Sequence, residues 1–402
     1  MSFLEIMTYV RNHVTLSEFK MQVYFDHNAT SPLHPEVTEA ILPYLKNPVG
    51  NASSLHSAGR LARSAIETAR GRVAELLNCE SESIIFTSGG SEANNLLLKG
   101  YLDTADQRPI ISSEIEHPSI LEPLAQLERS GHRIIRLKPD ASGRIDLNLA
   151  QATIQPGDPQ ILSVMLANNE TGVLQPVQLL AQHIDSDRCL VHTDATQVVG
   201  KLAVDMKQLG VDALTLSAHK LRGPQGIGAL VVKRKPRQIL ISGGAQEKYR
   251  RAGTENVAMI VGFGKAAQLA MLEMEQKRHH LLQLREVFEA GLSEIPGVVV
   301  FGCDAERLPN TSYFSLPYYH GETLLMELDR AGFALASGSA CHSEVTKASH
   351  VLTAMGVDDG LALNAVRASF GMSNSLQEVN ALLSKLQDLI DKLPAIIRRA
   401  AV

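Results

Sequence analysis

The chain has 402 residues, with 38 Lys and Arg against 43 Asp and Glu, a formal net charge of −5, 45% hydrophobic and 4% aromatic residues, and no Trp. That length is more than one hydrophobic core supports, so two domains are expected. An ordinary apolar fraction with 29 Gly and 17 Pro excludes collagen-like and low-complexity chains. Mild acidity argues against direct nucleic-acid or membrane-surface binding, which needs a basic face. The four cysteines, at 79, 189, 303 and 341, contain no Cys-x-x-Cys pair, so neither a disulfide framework nor a structural zinc site is expected.

The first twenty residues mix charges into every short apolar run and lack a secretory pattern. No stretch approaches the roughly 20 apolar residues of a membrane span, and the chain reads as cytoplasmic. The folded pattern begins near Met21, which makes residues 1–20 a leader of unknown role.

In chain order, Pro35 to Lys46 reads as a helix with proline at an early position. Gly59 to Asn78 reads as a second, with Leu61, Ala65, Ala69, Val73, Leu76 and Leu77 on one face. Apolar runs then alternate with helical stretches: Ile84–Thr87, Ile110–Ser113, Ile134–Leu137, Ile161–Leu166, Leu190–Thr193, Ala213–Ser217 and Ala229–Val232. Alternation of this kind predicts an α/β fold, a mostly parallel sheet flanked by helices, with its site at the strand ends. Helices follow at Asn256–Gln276 and Arg278–Glu294, and a last one covers Leu376–Arg399. The C-terminal third reads as a smaller α+β domain.

Polar clusters stand where these strands end. Thr87 to Asn95, TSGGSEANN, joins a strand to a helix; small residues there expose N–H groups where the helix dipole favours a phosphate. A second strand ends in Asp194-Ala195-Thr196-Gln197, and a third in Ser217-Ala218-His219-Lys220. Each alone has an ordinary explanation, Asp194 as a helix cap and Lys220 as a solvated charge. Together with the phosphate loop they point to pyridoxal phosphate, the lysine forming its Schiff base and the aspartate keeping the ring nitrogen protonated. His117, in EHP after IISSE, is placed to stack on a ring or move a proton. Asn169, in NNETG, is placed to offer an amide to a carboxylate, or simply to make a turn.

Cys341 lies in the small, polar run ASGSACHS, followed by Glu344 to Lys347 with little apolar content. Such a segment predicts an exposed, mobile thiol able to ionise. Cys79, Cys189 and Cys303 fit the reading of small, inert core residues.

The motifs YFDHNATSPLHPEV, GNASSLHSAGR, FTSGGSEANN, EHPSI, NNETG, HTDATQVVGK, SAHKLRGPQGIGAL, RRAGTENV, ASGSAC and AVRASFGMSN, in this order from Met21 to the C-terminus, resemble a cysteine desulfurase. That family belongs to the fold-type I pyridoxal phosphate enzymes and is related to class V aminotransferases. The resemblance implies a large cofactor domain over residues 30–279 with a seven-stranded sheet, and a small domain from residues 21–29 and 280–402 bearing the cysteine loop. It implies that Lys220 holds the cofactor and moves the α-proton, Asp194 meets the pyridine nitrogen, and Gln197 meets the ring hydroxyl. Gly90, Ser91, Ser217 and His219 would hold the phosphate, with Thr254 reaching it from a neighbouring subunit of a homodimer. His117 would stack on the ring, and Asn169 and Arg367 would receive the substrate carboxylate, for which an arginine fork is the natural match.

The activity implied is conversion of L-cysteine to L-alanine, with the sulfur left as a persulfide on Cys341 and passed to a sulfur-acceptor or iron–sulfur scaffold protein. No resident metal is implied, beyond Cys341 as a transient iron–sulfur ligand. The spacing around Cys341 resembles the long-loop subgroup; the Arg-x-Gly-His-His-Cys of the short-loop subgroup is absent. His342 stands where Thr or Ala is usual, and Lys347-Ala348 where Glu-Pro is common. Alternatives are a class V aminotransferase, a selenocysteine lyase, or a non-enzymatic sulfur carrier on the same fold.

Overall fold

The computed structural model describes residues 22–47, 50–154, 159–184, 188–337 and 347–393. A short strand β1 (Val23–Tyr24) precedes a sheet of seven: β2 (Ile84–Thr87), β3 (Ile110–Ser113), β4 (Ile134–Leu137), β5 (Ile161–Ser163), β6 (Leu190–Asp194), β7 (Ala213–Ser217) and β8 (Gly228–Val232). Their order is β2-β8-β7-β6-β5-β3-β4. Only β8 runs against the rest; the β3–β4, β3–β5, β5–β6 and β6–β7 pairs are parallel. Every residue of β2, β3, β6, β7 and β8 is buried, as expected for strands covered by helices on both faces. The carboxyl ends of β2, β3, β5, β6 and β7 therefore open on one edge. The predicted strand Ile161–Leu166 ends at Ser163 as a ladder, although the Leu166 N–H still reaches the Asp194 carbonyl at 2.9 Å.

The helix Ser57–Leu77 packs against the helix Val257–Leu272. Contact is close because a Cβ on Gly264 would lie 2.5 Å from the Ala69 Cα. The buried face of the first helix runs through Ala62, Ile66, Ala69, Val73, Leu76 and Leu77. This corrects the predicted face: Leu61 is 65% exposed and Ala65 half-buried, because they fall on the side turned from Val257–Leu272. The predicted helix Asn256–Gln276 stops at Leu272, and the next, Met274–Ser293, leaves at 74°. No single described helix is long and apolar enough to cross a membrane.

The remaining strands, β9 (Val299–Val300), β10 (Thr311–Ser315), β11 (Phe333–Ala334), β12 (Ala336–Ser337) and β13 (Ala365–Ser369), build a second unit. An antiparallel sheet β12-β13-β10-β9 and the β1–β11 pair pack on Met274–Ser293 and on Leu376–Asp391, which starts with a Ser375/Glu378 capping box. Their apolar residues, among them Phe25, Leu284, Phe288, Phe314, Phe370 and Leu386, form a core separate from that under the large sheet. The predicted end of the last helix beyond residue 393 lies outside the described residues. Cys189 is buried, but Cys303 is exposed, against the reading of it as a core residue. It sits in the turn after β9 beside Gly302, at φ 69°, and its side chain is turned to solvent while Gly302 packs against Val173.

Candidate active site

The strand-end edge encloses a cavity of about 280 Å³, lined in part by Gly90, Ser91, His117, Asn169, Asp194 and Gln197, and in part by Ser217, His219 and Lys220. Nine of the predicted site residues thus share one space. Arg367 comes from β13 and touches its edge, since its Nη1 donates to the Asn169 carbonyl at 2.9 Å. Thr254 does not line the cavity and is exposed. Cys341 belongs to residues 338–346, outside the described residues. The last described residue before it, Ser337, pairs with Val366 next to Arg367.

Lys220 follows β7 in a single tight turn, Ala218–Leu221. Its Nζ donates to the carbonyls of Asn28 and, at 2.6 Å, Ala29. Burial, aided by the positive charge of Arg367, lowers its pKa to about 8, against the pull of Asp26 and Asp194. A tenth of the amine is then neutral near pH 7, far more than for an ordinary lysine.

Asp194 ends β6. Its Oδ2 accepts from Asn94 Nδ2 at 2.8 Å and its Oδ1 from the Thr196 N–H at 3.0 Å, which fixes the carboxylate at the cavity wall. Across from it, His117 caps the helix Pro118–Arg129, its Nδ1 accepting from the Ser119 N–H at 3.1 Å. That bond leaves the ring proton on Nε2. The imidazole faces the open cavity, yet the surrounding protein lowers its pKa, with Asp194 opposing.

The helix Gly90–Gly100 begins without a side-chain cap at Gly89, so its first N–H groups stay available to an anion. A Cβ on Gly90 would stand 3.3 Å from Thr196 Oγ1, and that hydroxyl is buried without a hydrogen-bond partner. His219 meets Thr30 Oγ1 at 3.1 Å through Nδ1, and burial takes its pKa to about 4. Gln197 donates to the Asn28 carbonyl at 3.0 Å and accepts from Lys201 at 2.9 Å; its second N–H remains free to act.

Several neighbours escaped the sequence reading. Asn28 joins the two units: its amide side chain bonds Thr311, Asn310 and Lys201, its N–H bonds Ser369 Oγ, and its carbonyl takes Lys220. Its signal was the FDHNAT motif itself. Lys201, fully enclosed, lies four residues after Gln197, a helix-like spacing that could have marked it. Asp26 holds Arg367 Nη2 at 2.6 Å. Asn94, inside TSGGSEANN, had no signal beyond its place in that loop.

Residues 23–382 match the family described as Aminotransferase class-V. The chain is 42% identical over 381 residues to the cysteine desulfurase IscS of Dictyoglomus turgidum, covering 94% of this chain and 96% of that one. The chain belongs to the cysteine desulfurases of that family. Among solved structures, a NifS-like protein shares 34% identity at a TM-score of 0.86, over 93% of this chain and 100% of its own. SspA, solved in complex with cysteine, shares 31% at 0.76, over 87% and 99%. Cysteine desulfurases are pyridoxal phosphate-dependent sulfurtransferases of fold type I, and this chain is one of them. The residues present fit the cofactor: an uncapped helix start, an unpartnered buried hydroxyl at Thr196, a carboxylate and a low-pKa lysine face one cavity.

Proposed function

We propose that desulfuration of L-cysteine is carried out in this chain by Lys220, Asp194, His117 and Cys341. The observation that carries the reading is the meeting of Lys220 and Asp194 in the same cavity as the Gly90–Ser91 helix start. Bound there, pyridoxal phosphate supplies an electron sink for charge developing at the amino acid's α-carbon. The N–H groups of Gly90 and Ser91, with Ser217 and His219, hold the phosphate, and Thr254 reaches that of the partner subunit. Asp194 would keep the cofactor's ring nitrogen protonated, Gln197 would bond its ring oxygen, and His117 would lie against the ring with its Nε2–H available for proton transfer.

Lys220, its amine partly neutral, would hold the cofactor covalently and would carry the α-proton. Arg367 and Asn169 receive the substrate carboxylate; Arg367 Nε is buried without a partner, an unmet donor that a carboxylate satisfies. The Cys341 thiolate attacks the substrate sulfur. The new S–S bond forms as the C–S bond breaks, the electron pair stays with carbon, and a proton completes L-alanine. The persulfide then passes to an acceptor protein serving iron–sulfur assembly or the thiolation of tRNA or other targets.

Two separate apolar cores support a division into residues 30–279 and residues 21–29 with 280–402, the boundary falling within Met274–Ser293. Homodimer formation is supported by large apolar side chains left open on the single chain, among them Leu55 at 85% and Tyr249 at 69% exposure. A cytoplasmic place accords with the missing membrane helix among the described residues.

The deciding experiment incubates the holoenzyme with L-cysteine and measures alanine and protein-bound persulfide. Cys341→Ala should lose both while keeping the yellow, borohydride-sensitive cofactor, and Lys220→Ala should lose turnover and that covalent link. Wild-type rates of both products from Cys341→Ala would overturn the assignment.

A further inference from the structure

Lys220 also lines a second, smaller cavity of about 50 Å³. Its wall includes the basic side chains of Lys201, Lys220, Arg222 and Lys277, with the ring of His27 and, among the described residues, no carboxylate. Lys277 is 7% exposed, and its ammonium has no hydrogen-bond or ion-pair partner among the described residues. The nearest carboxylate acting on Lys277 and Arg222 is Glu273, which is paired with His34 Nε2 at 3.3 Å. Asp26, the other acid of this region, is committed to Arg367. His27 Nε2 is buried and also lacks a partner, while its ring packs so closely on Gly371 that an added Cβ would lie 2.0 Å from it.

Desolvated positive charges are costly, and Glu273, acting on both Lys277 and Arg222, is one carboxylate against two cations. Burial lowers the pKa of Lys277 to about 8, with Arg222 adding to the effect. Near pH 7 most of the ammonium is still charged, so release of protons does not remove the imbalance. The volume suits one or two water-sized groups and is far too small for a pyridoxal phosphate.

We propose that this cavity is a binding site for a small monovalent inorganic anion of halide size, held by Lys277 and Arg222. Lys201 is held at the cavity wall by Asn28 and Gln197, at 3.0 and 2.9 Å, and burial beside other cations holds its pKa well below the usual lysine value, so the anion's charge partners are Lys277 and Arg222. The anion sits beside Lys220, which shares the wall, and offsets the positive charge of Lys277 and Arg222.

The test uses the dimeric holoenzyme with bromide and chloride as probes. Crystals grown in sodium bromide should show an anomalous peak between Lys277 and Arg222. In solution at constant ionic strength, replacing gluconate by chloride should raise Tm with a saturating dependence. Lys277→Met should abolish the peak and weaken the chloride response at least about tenfold, the loss expected for removing a charged donor. Arg222→Gln is the second variant, should Lys277→Met fail to fold. A water at the bromide position, a carboxylate of the partner subunit in the cavity, or an equal chloride response in wild type and both variants would each overturn the proposal.

Discussion

Asp26 grips one nitrogen of Arg367 at 2.6 Å while the Nε of the same guanidinium stays buried without a partner. One edge of the fork is anchored to the segment after β1, and the other is left for a guest. The Asn169 carbonyl supplies the second anchor at 2.9 Å. Asp26→Asn keeps the shape but replaces a charged bond with a neutral one, which is about half as strong. The expected outcome is a KM for L-cysteine raised about tenfold, with kcat changed less, in steady-state alanine production. Arg367→Lys removes the planar fork and should raise KM further. An unchanged KM in Asp26→Asn would remove Asp26 from substrate positioning.

Lys220 has a pKa near 8, set first by burial and then by Arg367. The neutral amine is the nucleophile, so the rate at which cofactor-free enzyme forms a borohydride-trappable adduct with pyridoxal phosphate should climb with pH and level off above about 8. An unperturbed lysine would keep gaining rate to about 10.4. Stopped-flow absorbance between pH 6 and 10.5 separates the two profiles. A rate still rising above pH 10 would show that Lys220 is not desolvated in solution.

Glycines in the two packed helices should respond with opposite signs. Gly71 lies on the exposed side of Ser57–Leu77 with nothing within 4 Å of an added Cβ, whereas a Cβ on Gly264 meets the Ala69 backbone at 2.5 Å. Gly71→Ala should therefore stabilise by about 1 kcal/mol through helix propensity. Gly264→Ala forces the helices apart and should destabilise by about 1–3 kcal/mol. Denaturant midpoints of the holoenzyme measure both.

Much of this was legible because the chemistry is written in contiguous motifs at strand ends. Asp194, Lys220, His117 and Gly90 each sit within three residues of an apolar strand or a helix start, so a local pattern places them on one edge. Burial on both faces made β2, β3 and β7 read as plain apolar runs. The residues that orient the site were less visible. Asn28 works through its backbone carbonyl as much as its side chain, and a carbonyl has no signature. Asp26 meets Arg367 across 341 positions, a distance no local pattern spans. The 74° bend after Leu272 occurs within LEMEQKR, which contains no helix breaker; it arises because Val257–Leu272 lies on the large core and Met274–Ser293 on the small one. Leu61 was assigned to the buried face by periodicity alone, which cannot tell which of two adjacent stripes finds a neighbour.

Glu116, directly before His117, is wholly enclosed, and burial raises its pKa to about 8 despite bonds from Ser113 Oγ and the Met165 N–H. The folded protein therefore holds a proton here that the unfolded chain, with a carboxyl near 4.5, has already released. Between those two values the native state binds more protons, so its stability falls as pH rises. Below about 4.5 the group contributes no difference, and above 8 the cost is complete. Glu116→Gln keeps an acceptor for Ser113 and Met165 and cannot ionise. Relative to wild type it should gain about 3 kcal/mol of unfolding free energy between pH 5.5 and 8.5, from the shift at about 1.4 kcal/mol per pH unit. Urea unfolding of both proteins at the two pH values tests this. Parallel pH dependence in the two would mean that Glu116 is ionised in the fold and that its hydrogen bonds outweigh its burial.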